Sequence, residues 1–541
     1  MSYSAVLISQ SRSKVGAIED NVQHIITTAN SHKQQCPELE LVVFPEQALL
    51  GMPAFDLLLR DSLCERINNG LNTLSEQLTV PVLVGYPKIK QGICFNALGL
   101  VQPSLGVQQE YYQHQFEGAA ADQGVARQVY FAAGQQETIF SLGSLRVGVL
   151  LGQDYANEAL LTTYQEQEVD WLLHCSNNVF TSGDETQLVN TLKKIAHQTG
   201  AGVLHCSAAG GQDTLVMQGG SFAVNGEGEI VAQAPLFHVH TMLAKIAPQG
   251  QAMQTAIEEW PVAEAALYGA LAQAVKDYVA TNGFRGALLG LSGGIDSALT
   301  LAVAADALGP ENVRAIMMPF DYTSAMSKED AAQQAATMGV AYEEIPIRTP
   351  FDSFMGLLAN NFTGTEKDTT EENLQARCRG VILMALSNKL GKVVLACSNK
   401  SETAVGYSTL YGDMVGGFCP LRDVPKTWVY RLARWRNEQG EKAVIPQRVI
   451  DRPPTAELAP GQLDQNSLPD YPILDEVVHR YVELHEDADT IIAAGLPAED
   501  VRSVIRLIDR NEYKRQQGAL GPKVTSRGFG ANRRYPVTYS W

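Results

Sequence analysis

Short apolar runs recur along the first 245 residues, at 5–8, 41–44, 80–84, 147–151, 171–173 and 203–204. Runs of this kind, bounded by turn-forming and polar residues, predict strands. Between several of them the apolar positions change to a three-to-four-residue spacing, at 21–30, 63–78 and 188–199, which predicts helices with one buried face. That alternation predicts a layered α/β domain over residues 1–246. The stretch 247–261, with Pro248 and Gly250 near its start, breaks both periodicities and reads as a linker. Beyond it a helical spacing over 263–280 leads into a strand at 287–289, a helix at 298–308 and further strands at 313–318 and 392–396. This βαβ series predicts a parallel sheet in a second domain, 262–541.

A length of 541 residues accommodates two large domains or several smaller ones. With 45% hydrophobic and 18% charged residues, the chain has ample material for globular cores. The net charge of -18 argues against nucleic acid or an anionic membrane as a partner. No apolar run reaches the length of a membrane span, and residues 1–10 lack the pattern of a signal peptide, so a cytoplasmic location is expected. Eight cysteines, Cys36, Cys64, Cys94, Cys175, Cys206, Cys378, Cys397 and Cys419, show no Cys-x-x-Cys pair or zinc spacing and read as reduced, mostly buried thiols.

Chemistry concentrates in the run Gly290, Leu291, Ser292, Gly293, Gly294, Ile295, Asp296, Ser297, between the strand at 287–289 and the helix at 298–308. A loop there presents unpaired helix N-terminal N–H groups to an anion. The glycines allow close approach to phosphates, the two serines add hydroxyl donors, and Asp296 is placed to hold Mg²⁺. The Gly-Lys-Ser/Thr ending of a Walker A loop is absent. The loop resembles instead those of the N-type ATP pyrophosphatases, which split ATP between the α and β phosphates. From the loop residues alone, a glycine-rich turn without a ligand stays open.

Further segments carry a more specific resemblance. They are Glu371 to Arg377, Ser398 to Glu402 running on through Gly406 to Asp413, Pro420 to Lys426, Pro454 to Leu458, and Tyr513 to Arg515. Together they resemble the NAD⁺ synthetase family over nearly all of 265–520. The resemblance implies a Rossmann-like parallel-sheet domain in which ATP adenylates the nicotinate carboxylate of deamido-NAD⁺, pyrophosphate departs, and ammonia displaces AMP to form NAD⁺. It assigns Asp296 and Glu402 to Mg²⁺, Lys426 and position 397 to ATP, and Asn373, Arg377, Glu402, Asp413 and Lys514 to deamido-NAD⁺. Asp296, Glu402 and Lys426 are the catalytic candidates. A departure stands at Cys397, where the family usually has threonine; a thiol is the poorer donor if the contact to ATP uses the side chain. Family members commonly pair, so a homo-oligomer of at least two chains is implied.

The first half resembles the nitrilase-like, α-β-β-α sandwich glutaminase domain that many of these enzymes carry. The landmarks are Val43-Phe44-Pro45-Glu46, Asn96, Tyr130-Phe131, Gly210 to Asp213 and Gln218 to Ser221. The resemblance implies a Glu, Lys and Cys set that releases ammonia from glutamine through a thioester. Glu46 is in place. The cysteine position reads Gly152, followed by Gln153 and Asp154, and no cysteine occurs between Cys94 and Cys175. The lysine is missing too, since none occurs between Lys90 and Lys193, and its expected neighbourhood reads 111–117 before an alanine-rich run. A degenerate glutaminase, with free ammonia as nitrogen donor, is therefore expected. The alternative is a glutamine-dependent synthetase with an unusual nucleophile.

Overall fold

All seven residues of the first strand, Ser4–Gln10, are buried, because it lies inside a sheet covered on both faces. The computed structural model describes residues 3–116, 130–455, 457–459, 464–530, 532–533 and 535–538. Two units are distinguished: Met1–Gln212 with Val216–Pro261, and Val262–Trp541 with Asp213–Leu215.

In the first unit one six-stranded sheet contains β1 (Ser4–Gln10), β2 (Leu39–Val43), β3 (Val82–Lys90), β4 (Ile93–Gln102), β5 (Gly106–Tyr112) and β14 (His240–Ile246), ordered β14-β1-β2-β3-β4-β5. The other contains β6 (Ile139–Leu142), β7 (Leu145–Leu151), β8 (Trp171–Ser176), β9 (Gly202–Ser207), β12 (Phe222–Val224) and β13 (Ile230–Gln233), ordered β13-β12-β9-β8-β7-β6. A separate hairpin pairs β10 (Ala209–Gln212) with β11 (Leu215–Gln218). Alternation along each strand builds the layers. Val6, Ile8, Leu41 and Val43 join Val147, Val149 and Leu172 in one core between the sheets. Leu7 and Val42 point the other way, onto Ile18, Val22 and Leu71 of α1 (Ile18–Gln35) and α2 (Leu63–Gln77). With α3 (Glu158–Glu166) and α4 (Gln187–Thr199) against the second sheet, the unit is an α-β-β-α sandwich.

The stretch 247–261, expected to be a linker, is hydrogen-bonded along this unit. Met253 N–H donates to Lys245 O at 3.0 Å, Thr255 N–H to Val231 O at 2.8 Å and Glu258 N–H to Gln233 O at 3.0 Å. Backbone pairing of this kind leaves no side-chain periodicity to read.

The second unit is built on four parallel strands, β15 (Ala287–Gly290), β16 (Val313–Met317), β17 (Ala341–Glu344) and β18 (Val393–Val394), ordered β17-β16-β15-β18. Around them lie α5 (Ala263–Thr281), α6 (Ile295–Leu308), α7 (Ala325–Met338), α8 (Arg348–Leu358), α9 (Thr369–Leu390), α10 (Lys400–Val405) and α11 (Lys426–Glu438). In α6 every residue from Ser297 to Ala305 is buried, since the helix packs against β15, β16, α5 and α11. The unit is Rossmann-like. No described helix is long and apolar enough to cross a membrane.

Candidate active site

Strand order in the second unit reverses at β15, with β16 and β17 on one side and β18 on the other. In such sheets the crevice beyond the strand ends at this point is the preferred ligand position. Here it holds a cavity of about 280 Å³. Gly290, Leu291, Ser292, Gly294, Ile295, Asp296, Ser297, Cys397, Glu402, Asp413 and Lys426 all line it. Gly293 does not; it sits beneath the loop at φ +80, where an added Cβ would lie 2.4 Å from Ser327 O. The loop braces itself through its hydroxyls. Ser292 N–H donates to Ser297 Oγ at 3.2 Å, Gly294 N–H to Ser292 Oγ at 3.2 Å, and Ser297 Oγ to Gly294 O at 3.0 Å. The N–H groups of the first turn of α6 have no acceptor within the helix, so the loop presents a positive end to the cavity.

Two carboxylates and one ammonium meet at its floor. Lys426 Nζ lies 2.6 Å from Asp296 Oδ2 and 3.0 Å from Glu402 Oε1. Burial disfavours the Lys426 charge, but the two carboxylates outweigh it and hold the ammonium well above its ordinary range. Burial raises the Glu402 carboxyl to about 7; Lys426 opposes the shift and Asp296 adds to it. Asn399, which had no assigned role in the sequence, ties the pair together. Its Nδ2 donates to Asp296 Oδ1 at 2.8 Å, while its Oδ1 caps α10 by accepting from Glu402 N–H at 2.9 Å. Three charges of net −1 with hard oxygens suit Mg²⁺. Among the described residues no three His, Cys, Asp or Glu side chains cluster for a metal, and the carboxylate pair is what they offer the ion. That matches an ion otherwise bound by water and substrate phosphates.

Cys397 Sγ lies 3.9 and 3.8 Å from the Gly290 and Leu395 carbonyl oxygens, and burial pushes its thiol up. Asp413 lines the cavity, where desolvation raises its carboxyl to about 6 against the Thr409 N–H donated to it at 2.8 Å. Asn373, Arg377 and Lys514 lie outside this cavity. Thr409 links Asn373 to it, donating its hydroxyl to Asn373 Oδ1 at 2.7 Å. Arg377 Nε donates to Leu410 O at 3.2 Å from the exposed side of α9, and Lys514 Nζ reaches the carbonyls of Gly406 and Ser408 at 2.8 and 2.9 Å beside a separate small cavity. Sequence reading missed Arg379, Arg452 and Asp464, which also line the main cavity. Arg379, two residues beyond Arg377, was the most accessible of these to a motif-based search.

In the first unit the residues around Glu46 form a buried polar network. Glu46 Oε1 accepts from Asn96 Nδ2 at 2.8 Å, Glu46 Oε2 from Asn177 N–H at 3.0 Å, and Asn96 Nδ2 also reaches Gln113 Oε1 at 2.7 Å. Gln113, within the stretch that lacks the lysine, is thus one residue removed from Glu46; Glu117 and the alanine-rich run after it lie outside the described residues. Gly152 ends β7 at φ +59, its N–H donating to Cys175 O at 2.9 Å and its carbonyl 2.8 Å from His174 Nε2. Gln153 follows it with a buried Oε1 that has no partner among the described residues. Cys175 and Cys206 are fully buried between the sheets, and burial raises both thiols.

The NAD synthase family model matches residues 267–518 and the carbon-nitrogen hydrolase model residues 6–253. The glutamine-dependent NAD⁺ synthetase of Acinetobacter baylyi is 41% identical, over 99% of this chain and 98% of its own; that of Thermotoga maritima is 35% identical, over 98% of each. The solved structure of the Acinetobacter baumannii glutamine-dependent NAD⁺ synthetase with ADP superposes with a TM-score of 0.81 at 40% identity, covering 99% of this chain and 98% of that one. A Cytophaga hutchinsonii structure, at 17% identity and a TM-score of 0.84 over 100% and 98% of the two chains, shares the fold. A nitrilase-like sandwich and a Rossmann-like unit with a glycine-rich loop at its switch point define the class: an ATP-using ligase that forms a C–N bond. Within that class the chain belongs to the two-domain NAD⁺ synthetase family.

Proposed function

We propose that this chain converts deamido-NAD⁺ to NAD⁺ with ATP and free ammonia. The synthetase reading is supported above all by the Asp296–Lys426–Glu402 cluster set beneath the Ser292 to Ser297 loop. The nicotinate carboxylate attacks the α-phosphorus of ATP, the α–β bridging oxygen leaves with pyrophosphate, and ammonia then attacks the acyl carbon of the adenylate and expels AMP. Charge builds on the α-phosphate and the leaving pyrophosphate, so the residues act by positioning and by electrostatic stabilisation. The loop N–H groups and serine hydroxyls orient the phosphates, and Lys426 offsets their charge. Asp296 and Glu402 would hold Mg²⁺, which when bound neutralises the phosphate oxygens. Asn373, Arg377, Asp413 and Lys514 are assigned to deamido-NAD⁺.

The nitrogen source rests on Gly152 at the end of β7, where no thiol is available. The relatives named above are called glutamine-dependent, and the intact Glu46 network favours a second reading in which another group attacks glutamine. Burial of Cys175 and Cys206 weighs against it. NAD⁺ formation in ammonium-free buffer, with either glutamine or ammonium added to deamido-NAD⁺, ATP and Mg²⁺, separates the two. Turnover with ammonium and none above background with glutamine is expected; equal use of glutamine would overturn the ammonia reading. We also propose an assembly of at least two chains, supported by exposed Leu357 on α8 and Val381 on α9, at 77% and 64%.

A further inference from the structure

Three cations line the main cavity: Arg379, Lys426 and Arg452. Two of them are already engaged by the protein. Lys426 is held between Asp296 and Glu402, and Arg452 donates to the Gly293 carbonyl and, at 2.9 Å, to Ser327 Oγ. Arg379, on α9, differs from both. Its Nε donates to Met318 O at 3.0 Å, just beyond β16, and among the described residues its two Nη groups have no acceptor.

Burial pulls the Arg379 guanidinium down from its ordinary range to about 10, so at neutral pH it stays charged while poorly hydrated. Asp413 and Glu457 oppose that shift through space, yet neither pairs with it. Asp413 accepts from Thr409 N–H at 2.8 Å, and Glu457 accepts from Ser327 Oγ at 2.8 Å. A partly desolvated charge without a partner is costly. With Nε fixed on a carbonyl, the remaining Nη fork matches a group with two coplanar oxygens, as in a carboxylate. The phosphates of ATP have the loop N–H groups, the serine hydroxyls and Lys426 to meet them. The nicotinate carboxylate, which must reach the α-phosphorus in the same cavity, has none of these. Five carboxylates, Asp296, Glu402, Asp413, Glu457 and Asp464, line that cavity and repel it, while Arg377 and Lys514 lie outside.

We propose that Arg379 pairs with the nicotinate carboxylate of deamido-NAD⁺ and thereby lets the cavity tell this acid from its amide product. The inference rests on the synthetase reading above and deepens it by naming the group that receives the acid. The fork holds the carboxylate by two charge-assisted hydrogen bonds. Once the acid has become an amide, that charge is gone and the product is held less tightly.

The test is calorimetric titration of the full chain, as wild type, Arg379→Gln and Arg379→Lys, with deamido-NAD⁺, NAD⁺ and ATP in turn. The two dinucleotides differ only in carboxylate against amide. The wild type is expected to prefer deamido-NAD⁺ by about tenfold or more, the size of a charge-assisted pair. Arg379→Gln should lose that preference with its affinities for NAD⁺ and ATP unchanged, and Arg379→Lys should recover part of it. Unchanged binding of NAD⁺ and ATP also shows that the variant is folded. A preference that survives in Arg379→Gln, an equal loss for both dinucleotides, a loss confined to ATP, or no preference in the wild type would each overturn the assignment. Any of these in a wild type that still forms NAD⁺ sinks this inference alone, while a wild type that neither binds deamido-NAD⁺ nor forms NAD⁺ sinks the synthetase reading.

Discussion

Lys426 shows how much one side chain can hold together. Its ammonium stands between two buried carboxylates, and removing one partner of such a set strands uncompensated charge, at a cost of about 3–5 kcal/mol. Lys426→Met is therefore expected to lower the melting temperature and abolish NAD⁺ formation, and Mg²⁺ should raise the melting temperature of the variant more than that of the wild type. Melting curves with and without Mg²⁺ check this; an equal Mg²⁺ effect on both proteins would contradict the pairing of the two carboxylates with a cation. A second residue, Asp154, titrates in an unusual range. Burial raises its carboxyl from 3.8 to about 7, against the donors Tyr111 Oη, Gln115 N–H and His114 N–H. Between those values the folded state keeps a proton that the unfolded chain has lost, so this group's contribution to stability falls as pH rises through the window. Asp154→Asn should remove that slope. Urea midpoints measured from pH 4 to 7 for both proteins would show the variant gaining on the wild type as pH rises, and a constant difference would refute the assignment. The identities of Asp296, Glu402 and Lys426 were legible from the motifs alone. Asn399 was not, because an asparagine that caps a helix and ties down an aspartate looks in sequence like any other asparagine.

The decisive element is the turn from β15 into α6. Its glycine at 293 has positive φ and lies against the Ser327 carbonyl, so Gly293→Ala faces both an unfavourable backbone angle and a close contact. An expected loss of about 1–3 kcal/mol of loop stability should raise the KM for ATP roughly tenfold or more, since 1.4 kcal/mol is tenfold. Steady-state kinetics with ATP varied, together with far-UV circular dichroism, would check it; an unchanged KM would show that the loop tolerates a side chain. Most of the central strands and the helices at 21–30, 63–78 and 188–199 were legible, because strands buried on both faces are continuously apolar and surface helices carry one apolar stripe. The strand Gly106–Tyr112 was not, since its exposed Gln108 and Gln109 near the sheet edge dilute the pattern. The last strand of the second unit's sheet was overestimated: only Val393 and Val394 join the ladder within the run at 392–396.

For the molecule as a whole, the question is whether one residue can supply glutamine hydrolysis. Gly152→Cys returns a thiol to the end of β7 but not the lysine, and the Gln113 amide cannot supply its charge. Glutamate release from glutamine is expected to stay at background in this variant, and robust hydrolysis would show that the thiol alone was limiting. The sequence by itself determined the two α/β domains, the glycine-rich turn between strand and helix and the family, because apolar periodicity and closely spaced motifs are local properties of a chain. It also determined that no cysteine stands between Cys94 and Cys175 and no lysine between Lys90 and Lys193, which is a matter of composition over a stretch. Only the tertiary structure decided that 247–261 runs along the first unit and that Asn399 joins Asp296 to Glu402. Backbone pairing and side-chain hydrogen bonds between residues tens to more than a hundred positions apart follow no periodicity, so they exist only once the strands have brought those residues together.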